Sequence, residues 1–271
     1  MPDAPEQPSS SAQPSPIHNS LLVFSGKGGV GKTTVAVNLA LGLALEGKRV
    51  GLLDVDIHGP NAAHMLGADG LAVTVTNGRL VPPTGAGGVK VMSMAYLLPD
   101  TDAPVVWRGP VKGNAIRQFI REIDWGELDW LVVDSPPGTG DEPLSVAQLL
   151  PGTYGIIVTT PQAVALMDAR KAVAFARLLK VRLLGIIENM SGLVCPHCGK
   201  EIELFPVGAA EKLARELLVP FLGRIPLDPR MVTGGDTGRP ILSEDDKSEP
   251  ARAFRAVVGR ILAAADKPGV A

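Results

Sequence analysis

The chain has almost no cysteine, no long apolar run and no excess of charge of either sign, and each shortage removes a class of protein. Cys195 and Cys198 are its only cysteines. They are too few and too close for a disulfide framework, which favours a reducing, cytoplasmic setting. No stretch approaches the ~20 uninterrupted apolar residues of a membrane-spanning helix. Twenty-six Lys and Arg against 28 Asp and Glu leave a formal net charge of −2. There is no global basic field to attract nucleic acid or an anionic membrane surface. A secretory signal is missing too, since residues 1–16 hold five prolines among Ser, Gln and Ala. Residues 1–18 read as a solvated, disordered tail, and residues 19–271 as one domain.

Beyond the tail, short β-type runs alternate with helical patterns. Strands are predicted at 21–24, 50–55, 89–94, 130–134, 154–159 and 183–188. Most are nearly unbroken in apolar residues, as suits strands covered on both faces. Helices are predicted at about 32–45, 113–122, 163–179, 211–218 and 250–265, and 76–88 reads as a surface excursion. With no internal repeat or interior linker, the alternation predicts a single α/β domain with a doubly wound, mostly parallel sheet. Ligands belong at the carboxyl ends of its strands.

Residues 25–34, Ser-Gly-Lys-Gly-Gly-Val-Gly-Lys-Thr-Thr, carry the most information. They lie between an apolar strand and an Ala- and Leu-rich helix, the setting a phosphate-binding loop requires. Gly26, Gly31, Lys32 and Thr33 have the G-x-x-x-x-G-K-[ST] spacing. Gly26, Gly28, Gly29, Val30 and Gly31 would wrap a phosphate with backbone N–H groups at a helix N-terminus. Lys32 would neutralise the terminal phosphates, and the Thr33 hydroxyl would hold magnesium. Thr34 follows as a further nucleotide contact. Lys27 is unusual for such a loop. A lysine there can project toward a neighbouring subunit's nucleotide, like an arginine finger supplied in trans, the alternative being a solvated surface charge.

Two more segments belong to this site. The strand at 130–134 ends in Asp134, a carboxylate suited to holding magnesium through water. It runs into Ser135-Pro-Pro-Gly-Thr-Gly-Asp141, a loop able to respond to a γ-phosphate. The strand at 50–55 leads through Asp54-Val-Asp56-Ile-His-Gly-Pro60. On an extended chain Asp54 and Asp56 point to one side, one to position the attacking water and one to contact the metal. The bland alternative is that a strand-end Asp caps the next helix.

Cys195-Pro-His-Cys198 points two sulfurs at one centre, but an all-thiolate tetrahedral site or a cubane cluster needs four. A symmetric dimer supplies the other pair. The residues alone leave zinc and iron–sulfur equally open, because Cys-Pro-x-Cys-Gly is also a zinc knuckle. A redox role is weaker, since the pair does not open a helix.

Gly26-Lys-Gly-Gly-Val-Gly-Lys-Thr33 resembles the deviant Walker A loop of the MinD/ArsA/Soj ATPases. Within that group the Mrp/ApbC branch is the nearest likeness. It is carried by Asp54-Val-Asp-Ile-His-Gly-Pro60, Trp107-Arg-Gly-Pro110, Asp134-Ser-Pro-Pro-Gly-Thr-Gly-Asp-Glu142, Glu188-Asn-Met190, Cys195-Pro-His-Cys-Gly199, Ile225-Pro-Leu-Asp-Pro229 and Gly235-Asp-Thr-Gly-Arg-Pro240. The resemblance implies an ATP-hydrolysing carrier of a [4Fe–4S] cluster. The cluster would be held at a homodimer interface by Cys195 and Cys198 of both subunits and passed to apo iron–sulfur proteins. It further implies slow, magnesium-dependent hydrolysis, with Thr33, Asp56 and Asp134 at the magnesium ion and Lys27 reaching across to the partner's ATP. Asp56 would assist the water, and Asn189, Pro226 and Asp228 would lie against adenine. A cluster scaffold is a further candidate partner; neither nucleic acid nor membrane is expected. Asn61 and Ser135 depart from the commoner Ser and Leu of the branch. The extra N-terminal domain of many relatives and the N-terminal cysteine cluster of eukaryotic ones have no counterpart here, which implies one cluster per dimer. A MinD/Soj-type positioning ATPase is the alternative from another class. The C-terminal segment argues against it, having no bulky aromatic anchor beyond Phe254. An electron-donating reductase like the nitrogenase iron protein would use separate single cysteines.

Overall fold

The computed structural model describes residues 17–56, 59–97, 109–138, 140–150, 152–195, 197–202, 204–244 and 247–266. Residues 1–16, Ile57, His58, Trp107, Arg108 and Pro196, all named in the sequence reading, lie outside these.

Seven strands make the central sheet: β1 (Ile17–Phe24), β2 (Val50–Asp54), β5 (Lys90–Ser93), β6 (Leu128–Asp134), β7 (Thr153–Thr159), β8 (Arg182–Glu188) and β11 (Phe221–Arg224). Four more form two small hairpins: β3 (Thr74–Thr76) with β4 (Arg79–Val81), and β9 (Leu193–Val194) with β10 (Glu201–Ile202). The helices are α1 (Lys32–Leu45), α2 (Ala62–Met65), α3 (Gly109–Glu122), α4 (Asp141–Leu149) and α5 (Ala163–Leu178). They continue with α6 (Ala209–Glu216), α7 (Pro229–Asp236), α8 (Ile241–Glu244) and α9 (Glu249–Ala265).

The sheet runs in the order β11-β8-β7-β1-β6-β2-β5, every pair parallel. Its unbroken apolar strands follow from burial on both faces. Leu21 and Val23 of β1 enter a core shared with α1 and α9, while Leu22 and Phe24 enter one shared with α3 and α5. This is the doubly wound α/β sheet expected. β1 lies centrally, with the chain continuing to β2 on one side and to β7 and β8 on the other, so the loop after β1 sits at a topological switch point.

Three differences from the sequence reading have physical causes. The first strand begins at Ile17, where Ile17 pairs with Leu128, so Ile17 and His18 belong to the sheet and not to a tail ending at 18. Part of the 76–88 excursion is a hairpin turning on Asn77 and Gly78, at φ 54° and 74°, the left-handed pair that tight hairpins favour. β11 was not foreseen because four residues with a central Gly223 carry little strand signal. At the C-terminus, α9 buries Phe254, Val257, Val258 and Ile261 in the core with α1, the packed terminal helix expected. No helix among the described residues is long and apolar enough to cross a membrane.

Candidate nucleotide and metal site

The loop after β1 is shaped by contacts that admit no side chain at two glycines. A Cβ on Gly26 would lie 2.3 Å from the backbone of Asp168 in α5. Gly31 opens α1 at φ 78°, and a Cβ there would lie 2.3 Å from the Asn189 amide nitrogen. The loop thus packs directly on the backbone of α5 at Gly26 and on the Asn189 side chain after β8 at Gly31. A cleft of about 220 Å³ opens over the loop, bordered by Lys27, Gly28, Gly29, Lys32 and Thr33, by Asp56 after β2 and by Pro137 after β6. Val30 and Gly31 complete its wall. The Gly138 N–H donates to the Ser25 carbonyl at 2.9 Å, tying the loop after β6 to the phosphate loop. Lys27 lies at the half-exposed rim, 3.5 Å from the Gln162 side-chain oxygen.

Asp54 and Asp134 end adjacent strands in register, and both are fully buried. Lys32 is ion-paired with Asp134 Oδ1. Asp134 Oδ2 has no hydrogen-bond partner among the described residues, although buried carboxylate oxygens are normally satisfied. Burial raises the Asp134 pKa, and the Lys32 ammonium and the Thr33 hydroxyl beside it pull it back. Burial, with the Asp134 charge second, pushes Asp54 up to about 8.

The two aspartates after β2 do not share one face. Asp56 borders the cleft and accepts from the Gly59 N–H at 3.3 Å. Asp54 lies beneath, its oxygens taken by the Asp56 N–H (3.0 Å), the Ala62 N–H opening α2 (3.1 Å) and the Ser93 hydroxyl (3.1 Å). In this structure Asp56 borders the cleft while Asp54 does not: Asp54 braces the loop that carries Asp56 and accepts from the first N–H of α2.

A second, smaller cleft of about 70 Å³ shares Gly31 with the first and is lined by Thr34, Asn189, Pro226 and Asp228. Met190 and Met231 add apolar walls that sequence reasoning did not name. Asn189 donates from its amide to the Val30 carbonyl at 2.8 Å. Asp228 caps α7 by accepting from the Arg230 N–H at 2.8 Å. The first cleft carries the charged Lys27, Lys32 and Asp56, and the second adds the apolar Met190, Leu227, Met231 and Val232 beside Asn189 and Asp228.

Cys195 and Cys198 sit in the turn between β9 and β10, closed by the Cys195 N–H to the Lys200 carbonyl and the Gly199 N–H to the Cys195 carbonyl, both 2.9 Å. Backbone donors from Cys198 and His197, and the Cys198 thiol, point at the Cys195 sulfur and hold its thiol below the usual range. Cys195 is half-buried and Cys198 exposed. Among the described residues no group of three or more His, Cys, Asp or Glu is arranged to hold a metal ion. Glu188, fully buried, braces the chain after β8 by accepting from the Ser191 hydroxyl and from the Gly208 and Ala210 N–H groups at the start of α6.

A family model described as ParA, the NUBPL iron-transfer P-loop NTPases, matches residues 16–262. The chain belongs to this family. The iron–sulfur cluster carrier protein of Methanocaldococcus jannaschii is 49% identical to it over 249 residues, covering 92% of this chain and 85% of that protein. The protein of the same description from Saccharolobus solfataricus is 45% identical over 241 residues, covering 89% and 81%. Among solved structures, a nucleotide-binding protein from Archaeoglobus fulgidus in complex with ADP superposes with a TM-score of 0.74 at 40% identity, covering 85% of this chain and 90% of that one. The cell division ATPase MinD of Pyrococcus furiosus superposes with 0.70 at 25% identity, covering 91% and 99%. The ParA-type phosphate loop, the carboxyl end of β6 and the two adjoining clefts thus occur together in a P-loop NTPase.

Proposed function

We propose that the chain is an ATP-hydrolysing iron–sulfur cluster carrier that works as a homodimer. The observation that carries this reading is a two-thiol turn that no third ligand completes among the described residues, in the same chain as a phosphate loop lining a cleft. Two such turns facing across a two-fold axis supply the four thiolates of a [4Fe–4S] cluster. The relatives described as carriers, and the iron-transfer description of the family, support the same assignment.

In this reading ATP lies across the two adjoining clefts, its phosphates on the N–H groups of Gly28–Thr34 and its base between Asn189, Pro226 and Asp228. Asp134, with its unpartnered buried Oδ2, fits a magnesium site together with Thr33 and Asp56. Magnesium bound there would screen the charge of the β- and γ-phosphates. Lys32 holds the terminal phosphates, and Asp56 at the cleft wall orients the attacking water. Lys27 at the rim stabilises charge on the partner's nucleotide. Asp54 keeps the Asp56 loop in place. Apo iron–sulfur proteins of the cytoplasm would receive the cluster.

Anaerobic reconstitution with iron and sulfide, followed by iron and acid-labile sulfide analysis, tests the reading. The expected product holds about four irons and four sulfides per two chains. The Cys195→Ala, Cys198→Ala double variant should hold none while still binding ATP. Zinc bound at the turn with no cluster formed under these conditions overturns the carrier assignment.

A further inference from the structure

The cysteine hairpin is tied by its first strand to the loop that lines the base cleft. The Leu227 N–H donates to the Gly192 carbonyl at 2.9 Å, and Leu193 and Leu227 pair as a parallel bridge. Closer to the sheet, Ser191 donates to the Ile225 carbonyl at 2.9 Å and Ile225 to the Glu188 carbonyl at 2.8 Å. The pairing of β8 with β11 thus runs on beyond the sheet as a two-rail ladder. Asn189 and Met190 on one rail, and Pro226, Leu227 and Asp228 on the other, line the base cleft. Cys195 follows just beyond the last rung. At the ladder's other end, Asn189 is bonded to the Val30 carbonyl of the phosphate loop. Met190 and Gly192 both stand in the left-handed region, at φ 55° and 81°, so the first rail bends sharply between base and cysteines.

We infer that Leu227 is a positioning residue through which occupancy of the base cleft sets the geometry of the cysteine hairpin within one protomer. The inference rests on the carrier reading above and deepens it. A base in the cleft fixes the spacing of the two rails, and a rung bonded on both sides transmits that spacing to Gly192. The hydrogen bonds that close the turn make it move as a unit, carrying both thiols. Nucleotide and cluster affinities are then coupled, and by linkage the coupling is reciprocal. It needs no second chain, unlike any effect routed through Lys27.

The test uses the reduced, cluster-free full-length protein and the alkylation rates of Cys195 and Cys198 by iodoacetamide, with and without saturating ADP. ADP is expected to change the Cys195 rate by about fivefold, the lower end of typical coupling, and to do so equally after tenfold dilution of the protein. Leu227→Pro deletes the rung's N–H and should abolish the response at saturating ADP. Leu227→Ala keeps the rung and should keep the response. If thermal melting shows Leu227→Pro unfolded, Met190→Gly, which loosens the first rail, replaces it and should weaken the response. A wild-type rate indifferent to ADP, a response that disappears on dilution, or a rung-deleted variant that responds like wild type would each overturn the inference. Cluster assembly with thiols that ignore ADP sinks this inference alone. A normal ADP response without cluster assembly sinks the carrier reading alone.

Discussion

At the scale of single residues, the site depends as much on absent side chains as on present ones. Gly26 is the clearest case, because its missing Cβ is what lets α5 approach within 2.3 Å of where that atom would stand. Backbone cannot rotate away as a side-chain tip can. Gly26→Ala is therefore expected to cost about 1–3 kcal/mol by overpacking and to lower ADP affinity by deforming the loop. Melting temperature and titration calorimetry read the two effects, and an unchanged value of both would contradict the geometry. Lys27 and Lys32 share a loop but not a role. Lys32 is buried against Asp134, whereas Lys27 lies at the rim. Lys27→Ala should leave nucleotide affinity within a few-fold of wild type while slowing steady-state ATP turnover by about a hundredfold. A turnover close to wild type would remove Lys27 from the chemistry.

Much of this residue-level detail was legible before any coordinates, and the exceptions share a cause. The phosphate loop could be read because strand, glycines, lysine and threonine lie within one local window. The bracing role of Asp54 was not legible because its partner Ser93 comes from β5, 39 residues on, and no local pattern announces that pairing. Met231 in the base cleft and the Leu227 rung were invisible for the same reason. They depend on β11 lying beside β8, which follows from tertiary packing rather than from the weak signal of a four-residue strand.

At the scale of elements, helices are anchored by individual polar contacts that make their own predictions. Ser248 caps α9 by accepting from the Ala251 N–H at 3.3 Å, with Pro250 in the first turn. Ser248→Ala is expected to cost about 1 kcal/mol and to lower the melting temperature by about 2–4 °C. α2 is tied to α7 differently. His64 faces an acceptor at both ring nitrogens: the Asp69 carboxylate at Nδ1 and the Asp236 carbonyl at Nε2, 2.9 Å away. Satisfying both requires the imidazolium, and hydrogen bonding to Asp69 first and Asp236 second raises its pKa above the ordinary 6.5. A raised histidine pKa gives stabilisation that is complete below the unfolded value and is lost as pH rises through the folded one. The melting temperature lost in His64→Ala should thus be larger near about pH 6 than near about pH 9. An equal loss at both would mean the ring is neutral and the tie between the two helices is not charge-assisted.

At the scale of the whole molecule, the two halves of the proposed function make different demands on symmetry. The nucleotide groove is built from one chain, since its walls come from the ends of β1, β6, β8 and β11. The cluster site is half-built: a single chain carries two thiols, and no third ligand stands near them among the described residues. Exposed apolar side chains flank that turn, with Val194, Ile202, Leu204 and Val207 each 40–49% exposed. A second copy would cover them while completing the thiolate count. A formal charge of only −2 per chain puts little repulsion in the way of such pairing. The iron-loaded protein should therefore sediment as a dimer, and its association should shift little between about 0.05 M and about 0.5 M salt, where screening would reveal charge-driven pairing. Chelation of the iron should return it toward monomer without loss of ADP binding, and the Cys195→Ala, Cys198→Ala variant should not dimerise on iron addition. Analytical ultracentrifugation under anoxic conditions separates these cases. A full cluster on a sedimenting monomer would break the link between thiol count and symmetry, leaving the nucleotide groove intact but the carrier without its seam.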